Sequence, residues 1–159
     1  MTATEAAVRK SVTVKASVER AFHVFTEGWD SWWPRSHNIG KSPLKKSIIE
    51  GFVGGRCYGE LEDGSDCPWG EITAWEPPRR LVIAWKISPQ WQYQPDPAKA
   101  SEVEVTFTAE PDGSTRVDLE HRHFERMGEG WENMRKQVDS TKMGWADLLE
   151  MYAAKVVLL

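Results

Sequence analysis

The sequence predicts an α+β fold in which a curved antiparallel sheet of six to seven strands wraps around a long C-terminal α-helix. Between residues 45 and 124, apolar and polar residues alternate in short runs, which is typical of half-buried strands. After Trp131, the large apolar residues recur at steps of three and four, which places them on one face of a helix. A helix with one apolar face needs a sheet to cover it, and the two layers can enclose a cavity.

The N-terminal part predicts one strand followed by two short helices. Apolar residues alternate with polar ones over residues 8–14, which indicates a strand. Ser17 can cap a helix that runs to Gly28. A short helical turn follows, and Pro34 ends it because proline lacks the N–H that a helix interior needs. This turn carries three tryptophans, Trp29, Trp32 and Trp33.

The middle of the chain predicts four strands joined by tight turns. Residue pairs that favour turns lie between consecutive apolar runs, at Gly54-Gly55, Asp63-Gly64 and Pro77-Pro78. The predicted strands occupy residues 48–53, 57–61, 69–75 and 81–87.

The C-terminal part predicts a loop, two strands and the long helix. Residues 88–100 hold three prolines and no apolar alternation, so they predict a loop. Two strands follow at residues 103–107 and 117–123, with a turn at Asp112-Gly113 between them. A single helix over residues 131–156 would be about 39 Å long at 1.5 Å per residue. Its apolar stripe consists of Trp131, Met134, Val138, Thr141, Trp145, Leu148, Tyr152 and Val156.

Composition and charge narrow the function classes. The length suits one domain spanning residues 1–159. The net charge of −4, without a lysine or arginine cluster, argues against nucleic-acid binding. We find no apolar run long enough to cross a membrane and no signal-peptide core, so we expect a cytoplasmic protein with no membrane partner. In that reducing compartment Cys57 and Cys67 are expected to be free thiols.

The abundance of tryptophan favours a cavity for a small molecule between sheet and helix. The chain has nine tryptophans, more than one small core needs. A core filled entirely by these side chains is the alternative. The residues expected to line the cavity are Trp32, Trp33, Trp69, Trp85, Phe107, Leu119, His121, Trp131, Met134, Val138, Thr141 and Trp145. Trp91 and Tyr93 in the long loop are candidates for its mouth, or for a homodimer contact.

Two polar residues are candidates for chemistry inside the cavity. His121 shares a strand face with apolar residues, so it either orients a ligand or is a structural histidine bonded within the protein. Glu71 faces inward if its strand is regular and outward if a bulge intervenes. His121 and His123 share a face at metal-ligand spacing, but a third ligand is missing, so we expect no metal. Without a phosphate loop or a nucleophile motif, the sequence predicts no cofactor.

The order of elements and several short motifs resemble the START-like (SRPBCC) helix-grip superfamily, also called birch-pollen-allergen-like. Within it the chain is most similar to the branch named for homologues of the activator of the heat-shock protein 90 ATPase. The resemblance covers roughly residues 8–157. It is carried by Ala21-Phe22, Trp32-Trp33, Gly54-Gly55, Gly70-Glu71-Ile72, the segment from Glu76 to Leu81 leading into Trp85, Thr115-Arg116-Val117 with His121, and Gly130-Trp131.

The resemblance implies a helix-grip fold with a cavity and implies no particular reaction. We therefore expect the chain to bind a small hydrophobic or aromatic ligand between the sheet and the C-terminal helix. Two alternatives stay open. One is a protein-interaction module, either like a chaperone ATPase activator or forming a homodimer. The other is a cyclase- or hydrolase-like enzyme that uses Glu71 or His121 in the same cavity.

Overall fold

The computed structural model describes residues 7–140 and 142–158, and this part of the chain forms one seven-stranded antiparallel sheet with four α-helices. The strands are β1 (Val8–Val14), β2 (Leu44–Ile49), β3 (Arg56–Leu61), β4 (Asp66–Glu76), β5 (Arg80–Trp85), β6 (Ser101–Ala109) and β7 (Thr115–Arg122). The helices are α1 (Val18–Thr26), α2 (Trp29–Trp32), α3 (Trp131–Val138) and α4 (Trp145–Leu158). The strand order is β1-β7-β6-β5-β4-β3-β2, so β1 and β2 are the two edges. The α+β class is confirmed, as are the two short helices after the first strand.

Helix α1 begins at its predicted cap and packs on the concave face of the sheet. Ser17 Oγ accepts a hydrogen bond from the backbone N–H of Arg20 at 3.2 Å. Phe22 and Phe25 lie on the buried face of α1, and each makes an edge contact with the ring of Phe107 on β6. These contacts fix α1 over the middle of the sheet.

Strand β2 begins and ends four residues earlier than the predicted strand over residues 48–53. It ends at Ile49, and Phe52 and Val53, which were expected inside the strand, are 56% and 65% exposed. The chain turns here because the backbone N–H of Gly55 donates to the carbonyl of Phe52 at 2.9 Å. Gly54 adopts a φ of 91°, which glycine reaches without steric cost. The predicted glycine turn therefore begins several residues earlier than the sequence indicated.

The C-terminal helix is interrupted, which corrects the prediction of one helix over residues 131–156. α3 ends at Val138 and α4 begins at Trp145. The apolar stripe continues across the interruption, because its members on both sides face the sheet. The buried ones are Met134, Val138, Trp145, Leu148, Tyr152 and Val156. The spacing of the stripe therefore gave no sign of the break.

Polar side chains and a glycine explain the interruption. Ser140 Oγ accepts from the backbone N–H of Lys142 at 3.1 Å, and Asp147 Oδ2 accepts from that of Met143 at 2.8 Å. Such local bonds offer backbone groups an alternative to the helix. Met143 has a left-handed φ of 59°, and a Cβ on Gly144 would lie 2.2 Å from the carbonyl oxygen of Ser140. The chain can turn this tightly because residue 144 is glycine.

Helix α4 fills one half of the concave face. It contacts β1, α1 and α2. Tyr152 Oη donates to the backbone carbonyl of Ala21 at 2.7 Å, and its ring makes an edge contact with Phe25. Arg20 Nε also donates to the backbone carbonyl of Val156, which holds the end of α4 against α1. This half of the molecule is closely packed.

The convex face of the sheet is charged, so its side chains face water. Arg122 Nη1 lies 2.7 Å from a carboxylate oxygen of Glu104 and 2.9 Å from one of Glu120. Arg9 Nε lies 2.8 Å from the other carboxylate oxygen of Glu120. Within the described residues, none of the helices combines the length and the apolar character that crossing a bilayer requires.

Candidate functional site

A cavity of about 500 Å³ lies between the other half of the concave face and the helical layer. Residues of β2, β3, β4 and β5 form its floor. Its walls come from residues 36–39, from the start of the loop after β5, and from both sides of the α3–α4 interruption. The cavity therefore lies beside the point where the helix is broken, and Trp145 and Leu148 of α4 also border it.

Four tryptophans that we name the tryptophan tetrad border this cavity: Trp33, Trp69, Trp85 and Trp145. Their rings contact one another in a closed circuit, with successive centroid distances of 5.9, 5.7, 5.8 and 6.3 Å in that order and back to the first. Trp33 and Trp69 are parallel to within 3°. Each ring comes from a different element, so the tetrad joins the sheet, the segment after α2 and the start of α4.

A β-bulge at Trp69 in β4 places Trp69 and Ile72 on the same, concave face of the sheet. Cys57 pairs with Gly70 and Tyr58 pairs with Pro68, so Trp69 has no partner in β3. The extra residue reverses the alternation of side chains beyond it. As a result Ile72 is fully buried, whereas Glu71 lies on the other face, where its carboxylate is 3.3 Å from Lys86 Nζ. The sequence left the orientation of Glu71 open, and the bulge places it outside the cavity.

His121 holds one member of the tetrad, Trp145, through a hydrogen bond from the sheet. Trp145 Nε1 donates to His121 Nδ1 at 3.1 Å, and His121 Nε2 lies 2.8 Å from Ser101 Oγ. Because Nδ1 accepts, the ring proton is on Nε2, which donates to the serine oxygen. His121 is fully buried, and desolvation lowers its pKa to about 3. It is therefore a neutral imidazole that fixes the indole of Trp145.

The mouth of the cavity has a half-exposed apolar side chain on each side. Trp91 comes from the loop after β5 and Met143 from the helix interruption, and each is 39% exposed. Both have left-handed backbone, with φ of 61° and 59°. This conformation is costly for residues with a side chain and often occurs at functional sites. Tyr93, the other loop aromatic predicted at the mouth, is 43% exposed and does not border the cavity.

His37 joins the two sides of the wall near the mouth. Its Nε2 donates to the backbone carbonyl of Met143 at 2.9 Å, and its Nδ1 is 3.2 Å from Ser36 Oγ. Trp33 Nε1 donates to the backbone carbonyl of His37 at 3.1 Å. These bonds link the segment after α2, one tetrad member and the helix interruption.

Cys67 is a free thiol that borders the cavity, and Cys57 is a free thiol in the core. Burial raises the pKa of both thiols above the usual value. Both are therefore protonated and weakly nucleophilic at neutral pH.

The residues predicted to line the cavity divide into two groups. Those that border it are Trp33, Trp69, Trp85, Val138 and Trp145. Those packed elsewhere in the interior are Trp32, Phe107, Leu119, His121 and Met134. Trp131 is partly buried against the same core, and Thr141 lies outside the described residues. The first group lies around the helix interruption, and the second belongs to the filled part of the core.

Several cavity residues were not identified from the sequence. They come from irregular segments, from strands β2, β3 and β4 of the cavity floor, and from helices α3 and α4: Ser36, His37, Asn38, Ile39, Leu44, Ser47, Gly59, Cys67, Ile87, Gln137, Lys142, Met143, Gly144 and Leu148. Leu148 belonged to the predicted helix stripe, which was a usable signal. The others depend on how strands pair and where the helix breaks, which local periodicity does not reveal.

His121 and His123 do not share a face, contrary to the sequence expectation. His123 follows the end of β7 with a left-handed φ of 63°, and its ring lies 3.3 Å from Glu102 and 3.7 Å from Glu125 near the surface. His121 is sealed in the core. Among the described residues, no three metal-binding side chains cluster together.

Comparison with known proteins gives one family and several similar structures. A family model described as activator of Hsp90 ATPase homolog 1-like protein matches residues 15–154. No curated protein matches the chain.

Among solved structures, the chain shares 43% identity with one described as an anthrahydroquino-gamma-pyrone synthase, Txn09, complexed with SUM; the match covers 93% of this chain and 95% of that chain, with a TM-score of 0.65. It shares 34% identity with CalC from Micromonospora echinospora, described as a self-sacrificing resistance protein, over 94% of this chain and 93% of that chain, with a TM-score of 0.65. Protein NE0264 from Nitrosomonas europaea, at 13% identity over 99% and 98% of the two chains and a TM-score of 0.69, shows the fold alone.

Proposed function

The chain belongs to the activator of Hsp90 ATPase homolog 1-like family, within the SRPBCC superfamily and its helix-grip fold. From this premise we propose that it binds a small planar aromatic molecule in the cavity. The observation that carries the proposal is the tryptophan tetrad, which borders a cavity of about 500 Å³. Ligand sites are usually concave, mostly apolar and of this size.

The chemistry of the walls favours a flat ring system. Aromatic side chains attract other rings through offset or edge contacts, worth about 0.5–1.5 kcal/mol per pair beyond the area that they bury. The four rings of the tetrad present such surfaces from different directions. Trp91 and Met143 add apolar surface at the mouth. A fused-ring molecule gains more from these walls than a flexible chain, because it loses little conformational freedom on binding.

One similar protein supports the same class of ligand. Txn09 is described as a synthase of an anthrahydroquino-gamma-pyrone, which by its name is a fused-ring compound. The match extends over nearly the whole of both chains. We therefore propose fused aromatic rings as the ligand class of this chain.

The test compares two tryptophans on the same strand. Anthraquinone is titrated against the wild type, Trp69→Leu and Trp75→Leu, with tryptophan fluorescence and melting temperature as the readouts. Trp69 borders the cavity, whereas Trp75 packs against Phe22 away from it. We expect Trp69→Leu to weaken binding by about tenfold or more and Trp75→Leu by less than about twofold. Equal weakening by both variants would contradict the proposal, as would a wild type that binds no fused-ring compound.

A second candidate function is ring-forming catalysis on the bound aromatic molecule. The 43% identity to a synthase favours it. Of the two residues that the sequence offered for catalysis, Glu71 lies on the convex face and His121 is sealed behind Trp145. A catalytic version would need a residue that borders the cavity, such as His37. Mass spectrometry of the ligand recovered after binding separates the candidates, since catalysis returns a changed molecule and binding alone returns the same one.

A further inference from the structure

The floor of the cavity carries two hydrogen-bonding groups that no described residue uses. Ser47 on β2 pairs with Gly59 on β3, which pairs with Cys67 on β4, and all three border the cavity in one row. Trp69 follows two residues after Cys67. Gly59 has no side chain, and the side chain of Leu44, which also borders the cavity, covers this position of the floor.

Neither group has a partner among the described residues. The backbone N–H of Ser47 donates to Asp30 Oδ1 at 2.8 Å, but its hydroxyl makes no hydrogen bond within that part of the chain. The same holds for Trp69 Nε1. The polar side-chain atoms that are both sealed and unpaired are the indole nitrogens of Trp29 and Trp85. The Ser47 hydroxyl and the Trp69 N–H therefore still open onto free space, and the free space that both residues border is the cavity.

The other interior polar groups of the wall are already occupied. Asn38 uses its amide N–H on the carbonyl of Ser42 and its amide oxygen on the N–H of Gly40. Both ring nitrogens of His37 are engaged, and so are the indole nitrogens of Trp33 and Trp145. The two groups that remain without a partner, the Ser47 hydroxyl and the Trp69 N–H, are mainly hydrogen-bond donors. An indole N–H can only donate, and a hydroxyl always carries one donor.

The charge of the wall has one sign. Lys142, on the exposed side of the helix interruption, borders the cavity, and within the described residues its ammonium has no ion-pair partner. None of the described residues that border the cavity is aspartate or glutamate. This holds although the chain as a whole has a net charge of −4. A negative group at the mouth would therefore meet the attractive charge of Lys142, while the Asp147 carboxylate, which accepts from the Met143 N–H, does not border the cavity.

We infer that the ligand is an oxygenated aromatic molecule, which places acceptor oxygens of the carbonyl or quinone type against Ser47 and Trp69 and an acidic oxygen toward Lys142. The inference rests on the proposed function, since it assigns the polar chemistry of the same cavity. Buried donors discriminate strongly, because a hydrocarbon of the same shape leaves them unpaired.

The test of the interior donors uses matched probes with and without oxygen. Anthracene and anthraquinone have the same tricyclic frame, and only the second carries carbonyl oxygens. Each is titrated against the wild type and Ser47→Ala by tryptophan fluorescence in a fixed cosolvent. We expect Ser47→Ala to weaken anthraquinone by about fivefold to tenfold and anthracene by less than about twofold. Comparing the variant's effect on each probe removes their different solubilities from the result.

The test of the mouth uses anthraquinone-2-carboxylate, which adds an anion to the same frame. We expect Lys142→Gln to weaken it by about threefold, with less effect on anthraquinone, because an exposed ion pair is a modest contribution. The matched control is Lys136→Gln, an exposed lysine of α3 that does not border the cavity. Added salt should weaken the carboxylate in the wild type and leave its affinity for Lys142→Gln nearly unchanged.

The outcomes separate this inference from the proposed function. If the tricyclic probes bind but Ser47→Ala weakens anthracene and anthraquinone equally, the polar assignment is overturned and the aromatic cavity stands. If Lys136→Gln acts like Lys142→Gln, the assignment of the mouth is overturned. If no tricyclic probe binds the wild type, the proposed function fails and this inference fails with it.

Discussion

Trp145 Nε1 donates to His121 Nδ1 across 3.1 Å, and this bond ties one wall of the cavity to the buried face of β7. It requires a neutral imidazole, since a protonated ring has no acceptor at Nδ1. His121 supplies one because desolvation lowers its pKa to about 3. The position of Trp145 therefore depends on a protonation state that burial imposes.

This dependence predicts a loss of stability in acid. Between pH 6.5, the ordinary histidine value, and about 3, the unfolded chain binds a proton at His121 and the folded chain does not. The contribution of neutral His121 to the free energy of unfolding is complete above pH 6.5, and it is lost as the pH falls from 6.5 to about 3. At pH 4 we expect the free energy of unfolding to be roughly 3 kcal/mol lower than at pH 7 for this reason. Urea unfolding at pH 7 and pH 4 measures the loss.

Two variants isolate the contribution of His121. His121→Gln cannot titrate, so it should lose about 3 kcal/mol less than the wild type between pH 7 and pH 4. His23→Gln removes an exposed histidine and should behave like the wild type. A wild-type loss that His121→Gln reproduces in full would show that His121 is not the group responsible.

The thiol of Cys67 should report occupancy of the cavity. It borders the cavity and is partly exposed, whereas Cys57 is fully buried. We expect iodoacetamide to modify Cys67 slowly, because burial raises its pKa, and Cys57 hardly at all while the chain is folded. Saturating anthraquinone should slow modification of Cys67 by about fivefold or more. Mass spectrometry of the digested protein follows both sites, and an unchanged rate at Cys67 would mean that the ligand binds elsewhere.

Gly144 should tolerate no side chain. A Cβ there would lie 2.2 Å from the carbonyl oxygen of Ser140 and 2.7 Å from that of Val138, and backbone atoms cannot move aside cheaply. We expect Gly144→Ala to reduce the free energy of unfolding by about 2 kcal/mol and to weaken ligand binding, since the rim of the cavity must shift. Gly64→Asn is the control, because Gly64 has a positive φ but open space around it. Equal stability of the two variants in urea would refute the tight turn.

Trp91 should contribute to ligand binding and little to the free energy of unfolding. Its left-handed backbone costs roughly 1–2 kcal/mol, which glycine would not incur, and its half-exposed ring buries little surface in the free protein. Trp91→Gly should therefore leave the free energy of unfolding within about 1 kcal/mol of the wild type while weakening anthraquinone about threefold. A large drop in stability, or unchanged affinity, would show that Trp91 is part of the core and not of the mouth. Thermal melts and fluorescence titration give the two quantities.

Much of the fold follows from local patterns in the sequence. Alternating apolar residues predicted the strands that β1, β5, β6 and β7 form, and Ser17 predicted the start of α1. The strands are predictable because the two faces of the sheet differ so strongly, with aliphatic and aromatic residues on one and paired charges on the other. The apolar stripe of the C-terminal segment predicted the curved sheet, and the family resemblance is confirmed by the family match.

The interruption of the C-terminal helix was not predictable from periodicity. Met134, Val138, Trp145 and Leu148 keep helical spacing although the backbone between α3 and α4 is not helical. The break depends on hydrogen bonds from Lys142 and Met143 to side chains that equally well occur on a helix surface. Hydrophobic spacing records which residues face the core and not whether the backbone between them is continuous.

The cavity itself was only partly predictable for a related reason. Large apolar residues such as Trp69 and Trp85 could be assigned to the interior, but the sequence does not say whether an interior residue meets another side chain or an empty space. Ser47 and Gly59 reach the cavity through strand pairing. Glu71 is turned away from it by a bulge that reverses the alternation after Trp69. Register and bulges are non-local, so no short window of sequence contains them.

A crystal structure of the chain with anthraquinone tests the central claim most directly, which is that the tryptophan tetrad borders a site for a planar aromatic molecule. We expect ring density in contact with Trp33, Trp69, Trp85 and Trp145, and a carbonyl oxygen within hydrogen-bond distance of Ser47 Oγ. An interior in which these four side chains close the space, with the ring absent or bound on the surface, would contradict the account.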